Sequence, residues 1–140
     1  MPPITKSMQT GGKKKVKKKP LPSISKLKRL ADAVFSKWIR NRDSIGGYNW
    51  CVTCGKKAPI SELQHGHYWS RMHMGTRYHE KNGHVQCVGC NMFKEGAKPE
   101  YTLFLLRKYG DGILQELERE KEKLTKFSRQ DYLNIISKYQ

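Results

Sequence analysis

The chain is 140 residues long, which suits a single domain, and its 36% hydrophobic content is lean for a domain of that size. Against 12 Asp and Glu stand 28 Lys and Arg, a net charge of +16, so the surface attracts polyanions, nucleic acid foremost. The opening MPPITKSMQT has no apolar h-region and no window is apolar for long enough to cross a bilayer, which predicts neither a secretory signal nor a membrane protein.

Residues 1–22 read as a disordered arm. Lys13, Lys14, Lys15, Lys17, Lys18 and Lys19 repel one another, and Pro20 and Pro22 close the run. Such a run is either a solvated tail or an arm lying on DNA phosphates, where each contact adds salt-sensitive affinity without sequence choice. The rest, 23–140, reads as one domain. A helix is predicted over 25–42, with Ser25 as N-cap and Leu27, Leu30, Ala31, Val34, Phe35, Trp38 and Ile39 along one face. Lys28, Arg29, Lys37, Arg40 and Arg42 populate the remainder. The SIGGYNW segment turns the chain into a cysteine-bounded core over 50–97.

Helices are predicted again over 99–139. YTLFLLRKYG stops at Gly110, a residue suited to a left-handed C-cap. Asp111 is placed to cap a second helix with Ile113, Leu114, Leu117 and Leu124 as its buried stripe. Ser128 and Asp131 make an S-x-x-D capping box for the last helix, and Phe127 and Tyr132 stand where a hydrophobic staple requires them. Tyr132, Ile135, Ile136 and Tyr139 form its packing face.

All four cysteines lie in the core, as Cys51-x-x-Cys54 and Cys87-x-x-Cys90. In a chain without an export signal they argue against disulfides and for metal or redox chemistry in a reducing cytoplasm. Two residues between thiols let a tight turn aim both sulfurs at one ion, so the pairs read as two knuckles sharing one structural zinc. The rival, a redox pair, lacks a βαβ context. The gap between the pairs holds all five histidines. His65 and His67 alternate along ELQHGHYW, a predicted strand, and therefore project from one face. Gly66 between them leaves room for a phosphate or backbone to approach. NGHVQC reads as the return strand, and Asn91 as the start of a short helix with Met92, Phe93 and Lys94. A strand histidine facing that amide is suited to hold a hard divalent ion against a phosphate.

The order Gly66-His67, Asn82, Cys87-x-x-Cys90-Asn91 resembles the HNH, or ββα-metal, endonucleases on a zinc-stapled treble clef. The longer run FSKWIRNRD, CVTCGK, ELQHGHYWSR, TRYHEKN, QCVGCN and YTLFLLRKYG resembles the bacteriophage NinG/Rap recombination proteins from about residue 24 onward. The resemblance implies an α+β fold, a ββα-metal core flanked by N- and C-terminal helices. It implies a phage-encoded nuclease acting in the host cytoplasm on branched DNA such as Holliday junctions and D-loops, alongside other phage recombination proteins. Paired cuts by a resolvase require two active sites, which makes a homodimer reasonable. Carried over by position, His67 is the general base, Asn91 a ligand of a catalytic Mg²⁺ or Mn²⁺ with His65 or His67, and Asn82 the middle asparagine that orients the loop. Arg71 and Arg77 flank the loop as phosphate clamps.

One departure weighs against this reading. Where these families place an aspartate beside or three residues before the histidine, this chain has Gly66 and Gln64. Either Gln64 or His65 substitutes, or Glu62, Glu80 or Glu95 supplies the charge. The alternatives are a non-catalytic zinc module that binds nucleic acid and an HNH nicking enzyme indifferent to branches. His73, His79 and His84 read as hydrogen-bonded or exposed loop residues, Trp50 and Phe93 as core around the zinc. Tyr68 and Trp69 are candidates to stack on a base or to pack on the first helix.

Overall fold

The computed structural model describes residues 2–3, 11–123 and 125–140, so part of the predicted arm (1 and 4–10) and Leu124 lie outside the described residues. Residues 11–22 form neither helix nor strand, and Lys13–Lys19 are exposed. Helix α1 spans Ile24–Asn41. Its N-cap is Ser23, not Ser25: Ser23 has extended backbone and its Oγ accepts from the Lys26 amide at 3.1 Å, whereas Ser25 is already helical. At the other end Asn49 Nδ2 donates to the Arg40 and Arg42 carbonyls (3.0 and 2.8 Å), giving the end of the helix donors for carbonyls that lack them.

The architecture is α+β, with two small antiparallel sheets and five helices among the described residues. Strand β1 (Tyr48–Trp50) pairs with β2 (Lys57–Pro59), and β3 (Leu63–His67) pairs with β4 (Gly83–Cys87). Between β3 and β4 lies the one-turn helix α2 (Met74–Arg77). A π-helical turn, Gly89–Phe93, follows β4, and helices α3 (Lys98–Tyr109), α4 (Ile113–Glu122) and α5 (Arg129–Tyr139) complete the chain.

Leu27, Ala31, Phe35 and Ile39 recur every four residues and are all buried, packing with Tyr78, Tyr132 and Tyr139. Burying one such aliphatic or aromatic side chain is worth about 1.5–3 kcal/mol, so this row clamps α1 to α5. The capping box forms as predicted, with Ser128 Oγ accepting from the Asp131 amide and the Asp131 carboxylate from the Ser128 amide. Phe127 meets Tyr132 at 5.4 Å, and Tyr132, Ile135, Ile136 and Tyr139 all join the α1 cluster.

Gly110 takes φ +89° as its C-cap role requires. Asp111 does not cap α4: Gly112 occupies that position, and the Ile113 amide is satisfied by the Gly110 carbonyl. Helix α3 begins earlier than expected, at Lys98, because Pro99 fits a first turn whose amides need no internal partner. Trp50 and Phe93 are not core. On the short β1 it is Asn49 that points inward, leaving Trp50 38% exposed, and Phe93 at the end of the π-helical turn is 82% exposed.

Candidate active site and metal centre

The first knuckle is the connection between β1 and β2. The Cys51 amide bonds the Lys56 carbonyl, the Gly55 amide bonds the Cys51 carbonyl, and Gly55 sits at φ +77°. The second knuckle follows β4, and the Val52 amide donates to the Val85 carbonyl at 3.0 Å to dock the first against it. All four Sγ atoms lie within 4.8 Å of one another, and Cys54 and Cys87 are 3.7 Å apart. A tetrahedral zinc with Zn–S bonds of about 2.3 Å has S···S edges of about 3.8 Å, so the cluster can hold a metal ion such as zinc.

The thiol acidities support that fit. Burial pushes Cys90 up to about 12, whereas at Cys51 the Thr53 hydroxyl and nearby backbone amides overcome burial and bring it to about 6. Thiolates packed this closely repel one another, and a divalent cation is the charge that lets them ionise together.

The second centre lies on the face of β3 that turns toward α1. Strand alternation sends His65 and His67 to one side, with ring centroids 3.9 Å apart. Gly66 faces the other side, so it admits no phosphate. A Cβ there would stand 1.9 Å from Gln86 Oε1, and the space belongs to the Gln86 side chain. The two histidines line a cleft of about 560 Å³ whose walls include Gln64, Arg71, Arg77, Asn91 and Glu95, with Asp32, Ser36 and Arg40 from α1. His65, His67, Asn91, Arg71 and Arg77 are thus brought together. Asn82 and the lysine arm stand outside this lining.

Both imidazoles are neutral bases. Burial, reinforced by Arg71 and Arg77, pushes His67 down to about 4, and burial beside His67 holds His65 well below its usual value. His65 Nε2 and His67 Nδ1 are buried without a hydrogen-bond partner, so Nε2 is the His67 nitrogen open to the cleft. Asn91 lies within the π-helical turn, not at a helix start. Its Nδ2 donates to Gln64 Oε1 at 2.8 Å, which leaves Oδ1 uncommitted.

Asn82 is fully buried and works from behind. Its Oδ1 accepts from the Trp69 amide (2.9 Å) and its Nδ2 donates to the Trp69 carbonyl (3.0 Å), fixing the chain just after β3. Arg77 is fully engaged as well: Nε and Nη2 grip the Asp32 carboxylate at 2.8 and 2.5 Å, and Nη1 donates to the Arg71 carbonyl. Arg71 is exposed, with no carboxylate within ion-pair distance among the described residues, so it is the guanidinium left for a phosphate. Tyr68 packs with Tyr101, Leu105, Ile113 and Leu117, that is on α3 and α4 and not on α1. Trp69 lies against the same cluster, its ring covered by Lys98 and Lys121.

Of the three carboxylates open to replace the aspartate, only Glu95 lines the cleft. Glu62 is exposed on the turn before β3, and Glu80 accepts from the Tyr139 hydroxyl at 2.8 Å. The residue that sequence reasoning misses is Asp32. Burial disfavours its charge, but hydrogen bonds from Arg77 and Tyr78 outweigh burial and hold its carboxyl below the usual range. A signal for it exists: Asp32, Ser36 and Arg40 repeat every four residues immediately beside the apolar row.

His84 is a strand residue in the interior, 2% exposed, its two nitrogens bonded to the Tyr101 and Tyr109 hydroxyls at 3.0 and 2.8 Å. Burial pushes it down to about 2. A base depressed in the folded state stabilises the fold above its unfolded value near 6.5, and that contribution is lost as pH falls. Between pH 6 and 4.5, wild type is expected to lose stability faster than His84→Gln by about 1.4 kcal/mol per pH unit, read as the difference between their urea midpoints. Equal slopes would refute the assignment.

The sequence model described as Bacteriophage Lambda NinG protein matches residues 5–140. Among curated proteins, Protein ninG of Salmonella phage P22 is 28% identical over 91% of this chain and 61% of its own length. Protein ninG of Escherichia phage lambda is 30% identical over 76% of this chain and 50% of its own length. The chain thus spans about three fifths or less of these relatives. No solved structure matches.

Proposed function

The chain belongs to the NinG family of bacteriophage proteins, and on that premise we propose that it is a metal-dependent endonuclease of phage recombination, acting on branched DNA in the host cytoplasm. The observation that carries the proposal is the pair of neutral imidazoles, each with an orphaned ring nitrogen, that line one cleft with Asn91, Glu95 and Arg71. In this reading β3, β4 and the π-helical turn are the ββα-metal element, stapled by the cysteine centre.

His67 Nε2 takes a proton from the attacking water, which it can do because burial keeps the ring unprotonated at neutral pH. The water oxygen bonds to phosphorus, and the 3′ oxygen leaves with the electron pair of the broken ester bond. Arg71 grips a non-bridging oxygen, and Asn82 keeps the loop in register without touching substrate. The donor set of the cleft fits a cation-binding role, since Asn91 Oδ1 is uncommitted and Glu95 lines the same wall as His65. His65, Asn91 Oδ1 and Glu95 would hold Mg²⁺ or Mn²⁺, which when bound stabilises the charge developing on the phosphate. Glu95 supplies the anionic charge that Gly66 and Gln64 do not.

The test is cleavage of a labelled four-way junction beside a matched linear duplex, with Mg²⁺, Mn²⁺ or no added ion. Ion-dependent cutting of the junction alone is the expected result. Equal cutting of both substrates would leave an HNH nicking enzyme. Binding without cutting in any ion would leave a zinc-stabilised DNA-binding module, and gel filtration of the complex reads whether two copies act together.

A further inference from the structure

A second concavity, of about 540 Å³, opens beside the first and shares Asp32, Arg71 and Arg77 with it. Its remaining walls include Ser25, Lys28 and Arg29 of α1 and Met72 and Met74. The lining therefore carries four cations against one carboxylate, and that carboxylate is already neutralised by Arg77. Lys28, Arg29, Arg40 and Arg71 have no carboxylate within 4.0 Å among the described residues. Arg40 also keeps a buried Nε without a partner in the first cleft.

The two concavities have a common wall. Ser25, Lys28, Arg29, Asp32, Ser36 and Arg40 succeed one another along the helix, mostly at three- and four-residue steps, so they form one edge of α1. At 1.5 Å per residue that edge runs for about 22 Å, the length of about six base pairs along a duplex axis. Its far end is the start of α1, where no acidic residue occupies the first turn and where the lysine-bearing segment joins.

From this continuity we infer that the polar edge of α1 is a phosphodiester-binding track, which holds the DNA backbone on one side of the cleft and leads it toward Lys13–Lys19. The inference rests on the nuclease reading for its direction, from bound phosphate outward, but not for its chemistry. Lys28, Arg29 and Arg71 contact successive phosphates. The Asp32–Arg77 pair is the fixed partition between the reacting phosphate and its neighbours. Asp32 is therefore a positioning residue, acting through Arg77.

The experiment is the salt dependence of binding of the full chain to a fluorescein-labelled 30-base-pair duplex and to a four-way junction, without added divalent ion. Each phosphate contact contributes about 0.9 to the slope of log affinity against log salt. Lys28→Ala/Arg29→Ala is expected to lower the slope by about 1.8 and weaken binding about tenfold at 0.15 M salt. Lys26→Ala/Lys37→Ala, which removes the same charge from α1 off the track, is expected to change the slope by less than about 0.5. An unchanged slope in the first variant, or equal slopes in the two, would overturn the track. Because no cleavage is read, loss of slope in the first variant alone leaves the track standing even where the junction-cleavage test refutes the nuclease.

Discussion

Cys87→Ser is expected to yield a chain that retains no zinc and does not complete its fold. Structural zinc sites contribute about 10–16 kcal/mol in small zinc-binding peptides, comparable to or larger than the ~5–15 kcal/mol that holds a typical domain together. Cys87 is 8% exposed, and beside the four sulfurs the two knuckles share few contacts, among them the Val52–Val85 backbone bond and the Gln86–Thr53 side-chain bond. Loss of one thiolate leaves three sulfurs around an incomplete site. Metal analysis should give one zinc per chain for the wild type and none for the variant, and near-ultraviolet dichroism should lose the signal of its packed tyrosines. The α1–α5 cluster shares no residue with the cysteine cluster, so part of the helical signal should survive. A variant with the wild-type melting temperature and no zinc would mean that the cysteines are dispensable to the fold.

His67→Ala is expected to lower junction cleavage by at least about 10²–10⁴-fold, the usual contribution of a positioned general base. DNA affinity should stay within about twofold, because the cationic groups that bind phosphate, Arg71 among them, are untouched. Stability should also change little or rise slightly, since the substitution removes a buried nitrogen that has no partner. The contrast between rate and affinity separates chemistry from fold damage. Cleavage at the wild-type rate would exclude His67 as the base and move attention to His65, whose ring lies against it.

The elements with strong local signals are legible in the residues themselves. The capping box at Ser128 and Asp131, the C-cap at Gly110 and the apolar face of α1 depend on contacts within a turn or two and appear where expected, except that Leu30 of that face is exposed. The cysteine pairs are equally clear, since the chemistry that aims two thiols at one ion is contained in a single tight turn. The pairing of His65 with His67 follows from strand alternation alone.

Local patterns do not reveal the partners of groups far apart along the chain. Asp32 carries no local mark of a partner, and α2 folds back to deliver Arg77 and Tyr78 to it across 45 and 46 positions. Arg77 reads as a phosphate clamp until that contact uses its donors. Gly66 reads as an opening for substrate until β4 brings Gln86 across it. Among three candidate carboxylates, only packing selects Glu95 for the cleft. Residue types and helical or strand periods decide which groups are available and which face they occupy, because those depend on local backbone geometry. Whether a charged side chain is then free to act or already satisfied is decided by its nearest neighbour in space, and that neighbour is chosen by the tertiary fold.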